Sequence, residues 1–256
     1  DWHGSVEAYA AAKARIVEHQ GPEHLVIHNV DDEVATAIAG ISAGRRLPVS
    51  GTSLPDGGAG RDGDKLVVGP IAIPLDALQV TDAAYLVDLA AAGVAALEVG
   101  ADPDGVEATI RAFHPGRHRR QVVLEVGGIR WIDDSKATNP HAAAAAIAGY
   151  PSVVLIAGGR NKGLDLTPIV AMPQLRTVLA IGEAAGDFVA LDGALVTDVG
   201  TVRSAVERAA EIAVPGDTVL LAPGCASFDQ FPSYAARGDA FAAAVVDVVV
   251  GEEATV

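Results

Sequence analysis

Two kinds of hydrophobic pattern divide the chain. After residue 121, short runs of aliphatic residues alternate with longer alanine-rich stretches of helical spacing. Unbroken apolar runs such as 153–157 and 219–222 are typical of parallel strands that are buried on both faces. Strands that alternate with helices in this way predict a doubly wound α/β sheet. The predicted strands cover 122–126, 129–133, 153–157, 177–181, 195–198 and 218–222, and the predicted helices cover 140–148, 184–191, 201–213 and 233–250.

The earlier part of the chain has a less regular pattern. Helical spacing begins after Ser5, and Asp32 stands where the N-cap of a second helix is expected. The alanine-rich stretch 82–97 is apolar on all sides, so we expect that helix to be buried. Pro115-Gly116 interrupts the pattern and indicates a domain boundary near residue 117. The predicted elements before it are helices at 5–20, 33–40, 82–97 and 103–112, a strand that begins at His24, and short strands within 45–75.

The composition fits one large or two ordinary domains and excludes several classes of protein. The chain has 256 residues, of which 50% are hydrophobic, and a formal net charge of -15. Such an acidic chain is not expected to bind nucleic acid, which needs a basic surface. The longest apolar stretches, 83–97 and 240–250, are interrupted by Asp88 and Asp247 and do not predict a membrane span. The single cysteine, Cys225, excludes an internal disulfide and fits a reducing, cytoplasmic compartment.

A dense set of polar side chains stands near the middle of the chain, between a predicted strand and a predicted helix. Gly127-Gly128 is a two-residue hairpin signal that leads into this strand. Two carboxylates, two hydroxyls and one ammonium follow, and then Asn139 and Pro140, which suit the N-cap and the first helical position. Because ligands bind open α/β sheets at the carboxyl ends of strands, the stretch 133–140 predicts a functional loop.

Two further polar loops are expected at the same edge of the sheet. The loop 158–163 follows a buried strand, and its glycines would let the backbone approach a ligand while its lysine supplies a charge. The loop 222–231 contains Cys225, which is expected to be a small buried residue because no histidine follows it nearby. The stretch 58–63 has the spacing G-x-G-x-x-G, but a strand rather than a helix follows it. It is therefore expected to be a hairpin loop and not a dinucleotide site.

The sequence of the first polar loop, Asp-Asp-Ser-Lys-Ala-Thr-Asn-Pro at 133–140, resembles the signature that opens the C-terminal domain of Mur ligases. The members that add D-glutamate are the most similar. The helical run 9–16, the strand and polar turn at 24–32, the pair His118-Arg119 and the loop 222–231 resemble further parts of the same family. The chain is therefore identified as a member of this family.

The resemblance implies an α/β fold with two parts. Residues 118–256 would form a C-terminal doubly wound, Rossmann-like ligase domain, and residues 1–117 would form part of the central ATP-binding domain. The implied activity is that of an ATP-dependent amide ligase, which adds D-glutamate to UDP-N-acetylmuramoyl-L-alanine through an acyl phosphate in peptidoglycan synthesis. ATP and Mg²⁺ are the implied cofactors, the partners would be small-molecule substrates, and the protein would be a cytoplasmic monomer.

Two alternatives stay open. The first is another amide ligase of the same superfamily, such as one that adds L-lysine or diaminopimelate, or a folylpolyglutamate synthase. Ser227 and the sequence Asp229-Gln230-Phe231 favour the D-glutamate enzyme over these. The second alternative is a non-catalytic ligand-binding remnant.

The resemblance also implies a role for individual residues. Lys13 would be carbamylated by CO2, would act in catalysis and would hold Mg²⁺, for which its amine must first be neutral. Lys136 would also be catalytic. The nucleotide would be bound by Asn29, Arg119 and Asp134. The substrates would be bound by Thr138, Lys162, Ser227, Phe228 and Tyr234.

The sequence departs from the family pattern in two places. The Gly-x-His-Asn-x-x-Asn-Ala element would fall near 81–89, where the sequence is Thr-Asp-Ala-Ala-Tyr-Leu-Val-Asp-Leu. The phosphate-loop pattern G-x-x-x-x-G-K-[ST] is also absent from the sequence. We therefore expect the chain to be the tail of a central domain followed by a complete C-terminal domain, without the phosphate loop and the UDP-binding N-terminal domain.

Overall fold

The structure of the protein is a computed structural model that describes residues 5–251. The chain divides into two compact units, the first ending at His114 and the second beginning at Pro115. No helix within the described residues is both long and apolar enough to cross a membrane.

The first unit contains a 5-stranded mixed sheet whose strand order is β1-β2-β3-β4-β5. Strands β1, β2 and β3 are parallel, and β4 and β5 continue the sheet as antiparallel neighbours. Apolar side chains of this sheet and of helix α3 form the core, in which Leu66, Ile73 and Leu86 are fully buried. The elements are α1 (Val6–Ala14), β1 (Leu25–Asn29), α2 (Glu33–Ile41), β2 (Arg45–Ser50), β3 (Ala59–Asp62), β4 (Lys65–Val68), β5 (Ile71–Pro74), a 3-10 turn (Leu75–Ala77), α3 (Ala83–Glu98) and α4 (Pro103–Arg111).

The first two helices of the first unit begin at the N-cap residues that the sequence predicts. Ser5 accepts a hydrogen bond from the backbone of Ala8 at the start of α1, and Asp32 accepts two at the start of α2. Both are N-caps, as their residue types predict. The predicted end of the first helix at residue 20 is wrong, because α1 ends at Ala14 and the chain continues in tighter turns. These turns bring Val17 into contact with a small buried cluster.

Two other predictions for the first unit need correction. The stretch 58–63 is not simply a hairpin loop, because it includes strand β3. Only Gly63-Asp64 forms the turn, where Asp62 pairs with Lys65 and Gly63 has a φ of 58°. Helix α3 is not buried on all sides, since its exposed side includes Asp88. Alanine allows both environments, so an alanine-rich pattern does not fix which side faces the core.

The second unit contains a 6-stranded sheet with the order β10-β9-β8-β11-β7-β6. Strand β6 is antiparallel to β7, and the other neighbours are parallel. Helices α5, α6 and α7 contribute to the apolar cluster on one face, and α8 and α9 to the cluster on the other. The elements are β6 (Gln121–Val126), β7 (Ile129–Asp133), α5 (Pro140–Ile147), β8 (Val153–Gly158), α6 (Thr167–Val170), β9 (Leu175–Ile181), α7 (Ala185–Leu191), β10 (Val196–Gly200), α8 (Val202–Ile212), β11 (Thr218–Gly224) and α9 (Tyr234–Val245), which continues as a π-helical turn (Val246–Val250).

The doubly wound sheet is therefore confirmed, and each predicted strand and helix of this unit is present. The short helix α6 was not predicted, since four residues are too few for a periodic pattern. Gly127 and Gly128 have φ values of 58° and 75°, as a tight turn between β6 and β7 requires. Asn139 caps α5 through the backbone of Ala142, and Pro140 occupies the first helical position.

The strand order reverses between β8 and β11. From β8 the chain adds β9 and β10 on one side, and then crosses to place β11 on the other side of β8. In doubly wound sheets the crevice at such a reversal is where ligands bind. Strands β7, β11 and β8 are adjacent and parallel, so the loops that follow them leave the sheet at one edge. This confirms that the three polar loops share that edge.

Candidate functional site

The loop after β7 is fixed at its base by Asp133. This carboxylate is 1% exposed, accepts a hydrogen bond from the backbone N–H of Ser135, and lies 2.7 Å from Nδ1 of His118. The carbonyl of His118 in turn accepts the backbone N–H of Lys136. His118 and Arg120 are the two non-glycine residues with positive φ in the described chain, at 63° and 49°. The start of the second unit is thus held directly against the first polar loop.

Asp134 is a buried carboxyl group close to arginine. It is 8% exposed, and the Nε of Arg120 lies 3.9 Å from its Oδ2. Burial raises the pKa of Asp134 from 3.8 to about 6, although the charge and backbone N–H of Arg120 oppose this shift. Arg119 is exposed and also lowers the pKa of Asp134 through its charge. The carboxyl and the two guanidinium groups form a polar cluster suited to the hydroxyls and phosphates of a nucleotide.

Lys136 directs its ammonium group towards the beginning of α9. Its Nζ lies 3.9 Å from the centroid of the Tyr234 ring, which is a cation–π contact. Thr138, two residues further, is partly exposed in the same loop, and its backbone N–H donates to the carbonyl of Lys136. The contact brings together two predicted site residues that are far apart in sequence.

The loop after β8 requires glycine at its first positions. A Cβ at Gly158 would lie 2.0 Å from the carbonyl oxygen of Ile181, and a Cβ at Gly159 would lie 2.2 Å from that of Ala226. Their φ values of 128° and 121° are also unfavourable for other residues. The glycines therefore let the loop run close to its neighbours.

The turn that presents Lys162 is closed by Asn161. The amide oxygen of Asn161 accepts the backbone N–H of Leu164, and its Nδ2 donates to the carbonyl of Leu164 and to Asp187. Lys162 itself is exposed. Its ammonium group is therefore available to a ligand at the edge of the sheet.

The loop after β11, residues 225–231, crosses the ends of neighbouring strands, and we call it the strap. Ala226 exchanges two backbone hydrogen bonds with Arg160 of the loop after β8. Ser227 is 2% exposed, whereas Phe228 is 61% exposed. Cys225 is 2% exposed, and burial raises its pKa to about 12. It is a buried packing residue, as predicted, and its thiol is not activated.

Arg237 connects all three loops. It lies in α9, is 1% exposed, and donates hydrogen bonds to Ser135 Oγ and to the carbonyl oxygens of Ser135, Gly158 and Cys225. Burial lowers its pKa to about 10, so the guanidinium is charged at neutral pH. No role was predicted for Arg237 from the sequence. An arginine one helical turn after an N-cap normally suggests an exposed charge, and its burial depends on tertiary contacts.

The predicted site residues fall into two groups. Those of the second unit stand in the three loops at the same sheet edge, in the polar cluster beside Asp134, or at the start of α9. The other two belong to the first unit, where Asn29 ends β1 and accepts the backbone N–H of Asp31, and Lys13 is an exposed residue of α1. The Nζ of Lys13 lies 5.3 Å from the ring centroid of Tyr9.

The residues present do not form a metal site by themselves. Within residues 5–251, no group of three or more His, Cys, Asp or Glu side chains could hold a metal ion. A carbamate on Lys13 would supply one oxygen ligand, whereas Mg²⁺ prefers an octahedral set. The described residues therefore do not account for the binding of Mg²⁺.

These features define the second unit as a doubly wound α/β domain, with cationic and hydroxyl side chains where the strand order reverses. Residues 118–225 match the family described as Mur ligase, glutamate ligase domain, and residues 1–61 match the Mur ligase middle domain. The chain belongs to the Mur ligase family.

Known relatives and structures agree with this assignment. A UDP-N-acetylmuramoylalanine–D-glutamate ligase of Frankia casuarinae is 44% identical over 264 residues, which cover 96% of this chain and 54% of the relative. The structure of MurF from Acinetobacter baumannii has a TM-score of 0.69 and 17% identity, with coverage of 96% of this chain and 56% of that chain.

A bifunctional folylpolyglutamate synthase/dihydrofolate synthase with Mn, AMPPNP and L-glutamate bound has a TM-score of 0.63 and 17% identity. The match covers 95% of this chain and 58% of that chain. At this identity the two structures support the fold alone. The chain spans about half the length of the curated relatives that it matches.

Proposed function

We propose that the protein carrying this chain is an ATP-dependent amide ligase that adds D-glutamate to UDP-N-acetylmuramoyl-L-alanine. The main support comes from the sheet of the second unit, at the edge where the three polar loops leave it. Lys136, Lys162 and Ser227 stand on these loops, which Arg237 holds together. Relatives of this activity that are 38% to 44% identical add to the support. The first unit would be part of the central ATP-binding domain, and the product would serve peptidoglycan synthesis.

The residues beside Asp134 and the loops after β8 and β11 would bind different substrates. Arg119 and Asp134 would hold the nucleotide, and the family resemblance also assigns a nucleotide-binding role to Asn29 of the first unit. Lys162 would pair with a carboxylate of D-glutamate, and the hydroxyl of Ser227 would hold the other, with Thr138, Phe228 and Tyr234 as further substrate contacts. A dicarboxylic amino acid suits a cation and hydroxyl donors, because charge-assisted hydrogen bonds fix both of its ends.

The proposed reaction proceeds in two steps. The carboxylate of UDP-N-acetylmuramoyl-L-alanine accepts the γ-phosphoryl group of ATP, which gives an acyl phosphate and ADP. The amine of D-glutamate then forms a C–N bond at the acyl carbon, the C–O bond to phosphate breaks, and the amine loses a proton. Lys136 and Arg119 would offset the negative charge that develops on the transferred group.

Replacement of Lys162 by alanine in the native gene product should weaken the use of D-glutamate. We expect the KM for D-glutamate to rise by about 100-fold, because the substrate carboxylate loses its charged partner. Ser227→Ala should raise it by about tenfold through the loss of one hydrogen bond to a charged group. Steady-state kinetics with varied D-glutamate and ATP measure both effects, and the KM for ATP should change little.

Lys65→Ala is the matched control, since Lys65 is an exposed lysine of the first unit. Unchanged D-glutamate saturation in both Lys162→Ala and Ser227→Ala would contradict the site assignment. Turnover with L-lysine, diaminopimelate or a folate, but not with D-glutamate, would favour another ligase of the superfamily. Binding of D-glutamate or nucleotide without turnover in the native product would favour the non-catalytic alternative.

Lys13 provides a separate test of the ATP-dependent chemistry. We propose that its amine is carbamylated by CO2, as the family resemblance of the run 9–16 implies. Native mass spectrometry of the gene product should detect a CO2 adduct at Lys13 that is lost on acid treatment. Lys13→Ala should lower kcat by at least about 100-fold, because the carbamate oxygen that would help to hold Mg²⁺ at the ATP phosphates is lost. An unmodified Lys13 together with full activity of Lys13→Ala would disprove the carbamate.

A further inference from the structure

The strap is attached by hydrogen bonds to the ends of three neighbouring strands. It begins at the end of β11 and passes the ends of β8, β9 and β10, which is the order of these strands in the sheet. At β8 it pairs with Arg160 through the backbone of Ala226, as described above. At the next two strand ends the contacts are made by side chains of the strap itself.

Asp229 attaches the strap to the end of β9. Its Oδ2 accepts the backbone N–H of Glu183 at 3.0 Å. The carboxylate occupies the space beside Gly182, where a Cβ would lie 2.0 Å from Oδ2. Gly182 also has a φ of 68°, so glycine suits this position both in conformation and in space.

Gln230 attaches the strap to the end of β10. Its Nε2 donates to the carbonyl oxygen of Gly200 at 2.8 Å, and the same carbonyl accepts the backbone N–H of Gly182. Within the strap, the carbonyl of Ser227 accepts the backbone N–H groups of Gln230 and Phe231. The Phe231 side chain packs against the core of the unit. The backbone around Ser227 is thus tied to residues that are themselves attached to two neighbouring strands.

We propose that Asp229 and Gln230 are positioning residues that hold Ser227 and Phe228 in register with the loop that carries Lys162. This inference rests on the proposed function and extends it to two residues with no assigned role. Neither residue needs to touch the substrate, since each acts through the strap. A bidentate ligand such as D-glutamate is sensitive to the separation of its two partners, so a loosened strap would weaken its binding specifically.

Gln230→Met tests the attachment to β10, because methionine has similar length and no amide donor. Asp229→Ala tests the attachment to β9. In the native gene product we expect each variant to raise the KM for D-glutamate by about tenfold, which corresponds to the loss of one positioning hydrogen bond. The KM for ATP should stay within about twofold, since the loop after β7 is not attached through these residues.

Thr201→Ala is the matched control for a simple loss of stability. Thr201 follows Gly200, and its hydroxyl forms hydrogen bonds with Ser204 at the start of α8, where it caps the helix. Its loss should lower Tm without changing the KM for D-glutamate. If Thr201→Ala raised that KM as much as Gln230→Met did, the positioning role would be disproved. It would also be disproved if both strap variants kept the KM of the wild type.

Amide hydrogen exchange separates this inference from the proposed function. Asp229→Ala should increase the exchange rate of the Glu183 amide, and Gln230→Met should increase that of the Phe231 and Ala226 amides. Unchanged exchange in both variants would overturn the attachment of the strap, whatever the substrate is. A wild-type protein that is not saturated by D-glutamate would instead overturn the proposed function, while the exchange comparison would still decide whether the strap is held in this way.

Discussion

Replacement of Arg237 by alanine should lower the free energy of unfolding by about 3–5 kcal/mol, the largest loss that we expect from a single polar side chain here. The variant keeps the carbonyl groups of Ser135, Gly158 and Cys225 but removes the guanidinium that donates to them. A buried acceptor without a donor carries its full desolvation penalty. Urea unfolding of wild type and variant, followed by circular dichroism, measures the difference.

Two further substitutions make this test specific. Arg203→Ala removes an exposed arginine that pairs with Glu207 and Asp247, and it should cost no more than about 1 kcal/mol. Arg237→Lys keeps the positive charge but cannot reach the separate carbonyl groups at once, so its stability should lie between those of wild type and Arg237→Ala. A loss below about 1 kcal/mol for Arg237→Ala would show that the three loops do not depend on this residue.

Replacement of Asp134 by asparagine should stabilise the protein at neutral pH. Burial raises the pKa of this carboxyl from 3.8 to about 6, so its ionisation is more costly in the folded state than in the unfolded state. The pKa difference corresponds to about 3 kcal/mol, which is an upper limit because the amide group of asparagine must also be buried. The same change should weaken the proposed binding of the nucleotide, since asparagine replaces one of the two carboxylate oxygens that could accept a hydrogen bond from a ribose hydroxyl.

The sign of the pH dependence follows from the raised pKa. Well below pH 3.8 the carboxyl is protonated in both states, so the variant and the wild type should be about equally stable. Between about pH 4 and pH 6 the unfolded state ionises first, and the wild type loses stability relative to Asp134→Asn. Above about pH 7 the difference should be constant. Thermal unfolding of both proteins from pH 4 to pH 8 measures this profile.

Asp165 provides a control of opposite sign. It is exposed, and hydrogen bonds from Thr167 lower its pKa. Asp165→Asn should therefore lose a little stability at neutral pH instead of gaining it. A stability difference between Asp134→Asn and the wild type that did not change between pH 4 and pH 8 would contradict the raised pKa of Asp134.

Much of the second unit was predictable because its hydrophobic pattern, its helix caps and its parallel strands all indicate the same fold. The apolar runs of β8 and β11 are buried along their full length, as central parallel strands require. Asn139 and Pro140 mark the start of α5 by local chemistry alone. The common edge of the three polar loops followed from the parallel direction of their strands.

The supports of the candidate site could not be predicted in the same way. Arg237, His118 and Asp229 act through partners that are distant in sequence, and their residue types are common on protein surfaces. The exposed side of α3 was missed for a related reason, since alanine does not distinguish core from surface. Sequence patterns located the loops, but the contacts that fix the loops relative to each other arise only in the folded unit.

The hydrogen bonds of Arg237 have a consequence for which residues of the three loops can be exchanged. Apart from Ser135 Oγ, its acceptors are backbone carbonyl groups, which every amino acid provides. The loops can therefore exchange side chains, including those at positions 162 and 227, while the guanidinium still holds their strand ends together. The positions of the strand ends are thus independent of the loop side chains, so a change at the exposed Lys162 or at the buried Ser227 can alter ligand preference without removing the contacts of Arg237.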